Sequence, residues 1–268
     1  MNADAPERRM SRLSRRSFVG LATVAPSLLR AQTSQERGRE IANKTIYALG
    51  GDGFRFMKTR TEVGKAYTFY REQITGLSPA HIYTRYLDSG SGIREEQRQV
   101  FGKKQDDAVI LTNDGAWEVT YRGAKALPAE RLKQFRDTAL HDIFYILRAR
   151  VDEPGLVFEF KENDVVENAP VAVVEIYDSE NRNITVWIHS STLLPVRQRF
   201  TYWDPLINDR REEVTHFTKY REAGNGVMWP HDIQRERDGS KILELYSDKV
   251  TVGDDFKPGM FDRPAGVK

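Results

Sequence analysis

Residues Val171–Asp204 read VAVVEIYDSENRNITVWIHSSTLLPVRQRFTYWD, and three strands can be read in them. In VAVVEIYD both alternating sets are apolar, so this strand expects cover on both faces. TVWIHSS and PVRQRFTYWD keep one apolar and one polar set, the signature of a half-buried strand. The links are short, and Ser179–Asn183 is a polar loop. Short links join antiparallel neighbours, because a parallel pair needs a crossover of a dozen residues or more.

The same grammar extends both ways. Downstream, 211–221, 227–237 and 240–252 are strands, separated by the Gly224-Asn225-Gly226 turn and the Asp238-Gly239 hairpin turn. Upstream, 156–162 precedes the meander. Strands at 81–87, 93–101, 107–112 and 116–121 come earlier, the last pair joined through Asn113-Asp114-Gly115. The alternation of Phe54 and Phe56, repeated by Tyr67 and Phe69, predicts a hairpin turning at Gly64.

Two segments carry the helical period. Ser34–Leu49 places Ile41, Ala42, Thr45, Ile46 and Leu49 on one face, with Ser34 as the N-cap and Gly50-Gly51 as the stop. The second helix covers 128–148 and starts at Pro128. Leu132, Phe135, Ala139, Ile143 and Leu147 fall three or four apart. Its IFYIL end is apolar on more than one side and expects more than one covering surface.

The fold class is therefore α+β, mainly β. A meander of about eleven strands must curl or split. The economical form is one strongly curved antiparallel sheet, an open half-barrel, with helices packed across its concave face. Alternation nominates Phe54, Phe56, Tyr67, Phe69, Trp117, Phe158, Phe160, Trp187 and Trp229 as the lining of an apolar cup. Leu132, Phe135, Ile143 and Leu147 face it from the helix.

The chain has 268 residues, 39% apolar and 30% charged, a composition with ample material for a core. Its formal charge of +2 comes from the N-terminus, where residues 1–31 hold six arginines and two acids. In the rest of the chain acids slightly outnumber bases, which argues against a nucleic-acid footprint. The absence of cysteine excludes disulfides, cysteine-ligated metals and a thiol nucleophile.

Ser14-Arg15-Arg16-Ser17-Phe18-Val19 resembles a twin-arginine export signal. The apolar run Phe18–Leu29 is too short for a membrane span, which takes roughly 20 residues. A small residue, Ala31, marks a cleavage position. The expected organisation is a signal over 1–32 and one domain over 33–268, located in the periplasm. If the signal is retained, it would serve as an anchor.

HSSTLLPVRQRFTYWD, GNGVMWPHDIQRERDGSK and VTVGDDFKPGMFDRP follow in an order that resembles the periplasmic lipoprotein-sorting family. That family comprises the LolA/LolB carriers and the RseB-type sensors. The shared elements are Leu-Pro-x-Arg at Leu194–Arg197, Gly-Val-x-Trp-Pro at Gly226–Pro230, the Asp238-Gly239 hairpin, and a closing Phe-x-x-Pro at Phe261–Pro264. The resemblance implies a half-closed barrel with a helical lid. It also implies a cup that takes acyl chains of lipids or lipoproteins. It leaves a membrane or periplasmic partner protein open as a second role. A monomer is expected and, with no cofactor motif or convincing metal set in the sequence, neither cofactor nor metal. The family's lid-latching arginine could correspond to Arg60, Arg71 or Arg94.

Catalytic readings are thinner. His189, His216 and His231 lie on successive strands and could converge on a metal. His189-Ser190-Ser191 lacks the glycine-flanked elbow of a serine nucleophile. Glu95-Glu96 and Glu212-Glu213 are adjacent pairs, so on strands each pair points to opposite faces. Gly51–Phe54 and Gly90–Gly92 lack the strand–turn–helix setting of a phosphate loop. A binding protein is expected, not an enzyme.

Overall fold

The computed structural model describes residues 1, 32–90, 92–105, 107–204 and 207–267. Arg15, Arg16, Phe18 and Ala31, read from the sequence as an export signal, lie outside the described residues. Gln32–Lys268 form one compact unit.

Among the described residues, thirteen strands make one antiparallel sheet. The first meander is β1 (Thr59–Tyr70), β2 (Gln73–Tyr86), β3 (Glu95–Phe101), β4 (Asp107–Leu111), β5 (Ala116–Thr120) and β6 (Gly123–Ala126). The second is β7 (Val157–Val166), β8 (Ala169–Tyr177), β9 (Asn183–His189), β10 (Pro195–Asp204), β11 (Asp209–Glu222), β12 (Met228–Arg237) and β13 (Ser240–Val252). Pairing of β1 with β13 joins the meanders, and the edges β6 and β7 do not meet, so the barrel stays open. The exposed end of the β7 edge, Lys161–Val166, is largely polar, which discourages another chain from adding to it.

The count exceeds eleven, and the region before Lys58 differs from expectation. Phe54 and Phe56 are not in a strand. Gly50 and Gly51, both at positive φ, turn the chain into a one-turn helix, α2 (Asp52–Arg55). Gly53 lies so close to the backbone of Asn225 that a Cβ there would sit 2.6 Å from its carbonyl oxygen. Two alternating residues cannot distinguish a strand from such a turn. The chain does not turn at Gly64 either. That residue lies in mid-β1 at a bulge opposite Ser247, where a Cβ would approach the Tyr246 carbonyl oxygen to 2.0 Å. The hairpin turn is at Arg71-Glu72, both with positive φ.

α1 (Ser34–Ala48) forms as its period predicts, although its cap is Thr33. Thr33 and Glu36 make a reciprocal capping box, satisfying backbone N–H groups that no helical carbonyl reaches. Gly38 lies against β7, and Ala42, Thr45, Ile46 and Leu49 are buried. The core continues through Phe158, Val174, Val186, Phe217 and Val250. On the opposite sheet face the C-terminal tail crosses β2 and β3. Phe256 meets Tyr83, Phe261 is buried beside Arg85, and Arg98 donates to the Met260 carbonyl. The closing Phe-x-x-Pro is thus a structural plug.

Candidate functional site

The helix expected over 128–148 is broken. α3 (Ala129–Leu140) ends at His141. Asp142 is extended and caps a new turn, α4 (Ile143–Tyr145), by accepting from the Tyr145 N–H at 2.9 Å. The Ile143 N–H donates to Gln198 on β10, also at 2.9 Å. Both bonds satisfy amides at a helix start, so the restart is built into Asp142 and Gln198. The chain then makes a π-helical turn, Ile146–Arg150. Ile143, Phe144, Tyr145, Ile146 and Leu147 are all buried, as the all-round apolar pattern requires.

The break separates two environments. Phe144 packs against Trp229 and Phe217 at ring distances of 4.6 and 5.0 Å and belongs to the core. α3 buries one residue, Ala139, and spans a cavity of about 420 Å³ lined by β1–β4 of the first meander and β10–β13 of the second. That volume lies within the roughly 300–1,000 Å³ of small-molecule sites.

The cavity has two kinds of wall. Ala66, Ile82, Ile233, Leu243 and Leu245 supply an aliphatic surface, with Phe101 beside them. β3 contributes a polar ladder. Gln99 donates to Gln97 at 2.9 Å, and Gln97 donates to Glu95 at 3.2 Å. Arg60 forms the floor. Its guanidinium lies 3.9 Å above the Trp229 ring, pairs with Glu62 at 3.0 Å and donates to the Tyr86 hydroxyl. Glu62 also accepts from Ser247. A buried pair this well bonded is costly to break from one side, by about 3–5 kcal/mol.

Glu95 and Asp142 differ from the other buried acids. Glu62, Asp178 and Glu213 each have an arginine partner, whereas Glu95 and Asp142 line the cavity without an ion pair among the described residues. Burial, then the nearby Asp142 charge, pushes the Glu95 carboxyl up to about 7. Burial raises Asp142 as well. The cavity therefore offers an apolar side and an acid that gains or loses its proton near neutrality.

The nominated residues divide sharply. Trp229 and Phe135 line the cavity. Phe54 and Phe158 are core, as are Ile143 and Leu147. Phe56 is 62% exposed. Phe160 lies under Arg37, 3.5 Å from ring to guanidinium carbon. Trp187 is on the face away from Val186 and Gln198, beneath Arg197 at 4.2 Å. Trp117 pairs with Ile110, on the face away from the cavity residues Val109 and Leu111. Tyr67 and Phe69 stand on the β1–β2 hairpin. Leu132 is half-buried and outside the lining. Alternation identifies two faces but not which one is concave, and choosing aromatics passed over the aliphatic wall. The run Glu95-x-Gln97-x-Gln99, polar on an otherwise half-buried strand, was the available signal.

Of the three arginines, Arg60 is the one in the cavity. Arg71 is at a hairpin turn, and the Arg94 backbone N–H donates to the Tyr145 hydroxyl at 2.9 Å. The histidines do not converge. His189 accepts from the Ser191 and Thr192 amides, His216 lies beside Glu236, and the Nδ1 of His231 meets the Ser247 carbonyl. No group of three metal-ligating side chains occurs among the described residues.

No family model and no curated protein matches the sequence. Solved structures do share the fold. An outer membrane lipoprotein-sorting protein domain from Vibrio parahaemolyticus is 12% identical with a TM-score of 0.57, covering 85% of this chain and 97% of its own. A DUF1329 family protein from Desulfovibrio piger is also 12% identical, with a TM-score of 0.58 and coverages of 86% and 98%. The open, curved antiparallel sheet with helices on its concave side is the architecture common to all three.

Proposed function

We propose that this chain is an exported periplasmic binding protein that holds an acyl chain of a lipid or lipoprotein beneath α3, for lipoprotein sorting or envelope lipid handling. The observation that carries the reading is an aliphatic wall facing a weakly seated helix. An acyl chain laid along Ala66, Ile82, Leu243 and Leu245 gains about 0.8 kcal/mol per CH₂ removed from water. The Gln97–Gln99 ladder and Glu95 receive the polar head on the other side. α3 acts as the lid, because moving it uncovers one buried side chain, while the 143–150 segment stays in the core. The lipoprotein-sorting description of the Vibrio domain supports this assignment through the shared fold. The Arg15-Arg16 motif supports export by the twin-arginine route. The proposed role is binding.

The test is native mass spectrometry of the protein extracted from its own periplasm, with uptake of a fluorescent fatty acid by the delipidated protein. A lipid-mass adduct and micromolar uptake are expected, with uptake falling at least tenfold in Leu243→Glu. Ligand-free protein that takes up no probe overturns the reading, and copurification of a protein without lipid replaces it with partner docking.

A further inference from the structure

The β1–β2 hairpin extends beyond β3 on one side, while the start of β13 flanks it on the other. Pairing of β2 with β3 begins only at Ala80 and Phe101, and pairing of β1 with β13 stops at Thr68 and Leu243. Gln73–Pro79 thus has no strand beside it on the β3 side. At about 3.3 Å per residue, this end projects on the order of 20 Å past β3.

The projecting end is apolar where a soluble hairpin would be polar. Tyr70, Ile74 and Leu77 are 65%, 61% and 60% exposed. Tyr67 stands opposite Leu77 and Phe69 opposite Ile74, two cross-strand pairs on one face. Tyr70 stands opposite Gln73 on the other face, so the end is apolar on both sides, and exposed apolar surface of this kind marks an interaction site.

Its surroundings are basic. Arg71 is in the turn, Lys65 lies on β1, and Lys103 and Lys104 occupy the adjoining β3–β4 turn. None of the four forms an ion pair among the described residues, and Arg71 lies over the Tyr70 ring. Glu72, the acid of the turn, is engaged by the Lys241 backbone N–H, and Glu244 by the Lys241 side chain. Two further acids, Asp106 and Asp107, follow Lys103 and Lys104 in the sequence. Apolar side chains ringed by unpaired cations complement an anionic bilayer, where the rings reach the acyl boundary and the cations meet phosphates.

We propose that the β1–β2 hairpin is a membrane finger that docks the protein on an anionic bilayer surface through Tyr70, Ile74 and Leu77. This surface is separate from the cavity, and the inference does not depend on what the cavity holds.

The cysteine-free sequence allows a position-specific test on the full chain. Ile74→Cys and Val165→Cys each carry one environment-sensitive fluorophore. Val165 is 65% exposed and lies at the other end of the strands, beside the β7–β8 turn, so it serves as the control. With vesicles containing phosphatidylglycerol, the Ile74 probe should shift to the blue and be quenched by nitroxide-labelled lipid. The Val165 probe should not respond. Pure phosphatidylcholine vesicles or high salt should abolish the response. Combined Arg71→Glu, Lys103→Glu and Lys104→Glu should weaken it at least tenfold with melting temperature unchanged. No response at Ile74, an equal response at Val165, or an undiminished charge-reversed variant overturns the proposal. Capture of a purified envelope protein at Ile74 with no vesicle response does the same and assigns the finger to a protein partner.

Discussion

α1 and α3 both lie over the concave side of one sheet, with opposite results. α1 is fixed by a capping box, brings Gly38 onto the β7 backbone and buries four residues. With the 143–150 segment it closes the space over β7, β8 and β9 into core. α3 has no side-chain cap, buries Ala139 alone and leaves about 420 Å³ between itself and the strands β1–β4 and β10–β13. Strand grammar is the same on both sides. What separates core from cavity is how closely the covering helix approaches, and that depends on a few small or capping residues.

The largest way to break this contrast is Gly38→Ala. A Cβ there would sit 2.5 Å from the Phe158 carbonyl oxygen and 2.8 Å from the Phe160 nitrogen, both backbone atoms that cannot rotate away. Urea unfolding should show a loss of about 3 kcal/mol or more. A loss below 1 kcal/mol, on the order of an ordinary surface change, would mean that α1 is as loosely seated as α3.

A matched truncation comes next. Leu147→Ala, at 1% exposure, should cost about 2–5 kcal/mol. Phe135→Ala, half-buried on the cavity wall, should cost less than about 1 kcal/mol yet reduce acyl-probe uptake several-fold. Equal stability losses would erase the distinction between the halves.

Glu95→Gln sharpens it through pH. The folded-state carboxyl is raised from 4.5 to about 7, so the folded state binds more protons than the unfolded one between those values. Wild-type stability therefore falls as pH rises through this window. The variant should match wild type near pH 4 and exceed it by up to about 3 kcal/mol above pH 8, since a tenfold change in proton affinity is worth about 1.4 kcal/mol. Parallel stability curves would place Glu95 in an ordinary solvated setting.

Much of the fold is legible in the sequence. The turns at Gly224–Gly226 and Asp238-Gly239 and the buried face of α1 come from local chemistry, and the structure has them. The errors arise where one local signal has two outcomes. Phe54-x-Phe56 alternates in a helical turn, and Gly64 marks a bulge rather than a reversal. The helix break at Asp142 depends on Gln198, a partner 55 residues away in sequence from Ile143, so no local pattern announces it. The site was less legible still. Trp229 and Phe135 line the cavity, but the other nominated aromatics went to the core, the surface and the outer face, because side-chain parity does not say which face is concave.

Hydrogen exchange with and without a long-chain fatty acid tests the central claim most directly. Amides of α3 and β3 should gain protection when ligand is added, while those of α1 and β7 should stay as they were. Protection that appears on α1 and β7, or nowhere while the fatty acid is bound, would contradict a binding site under the loosely seated helix.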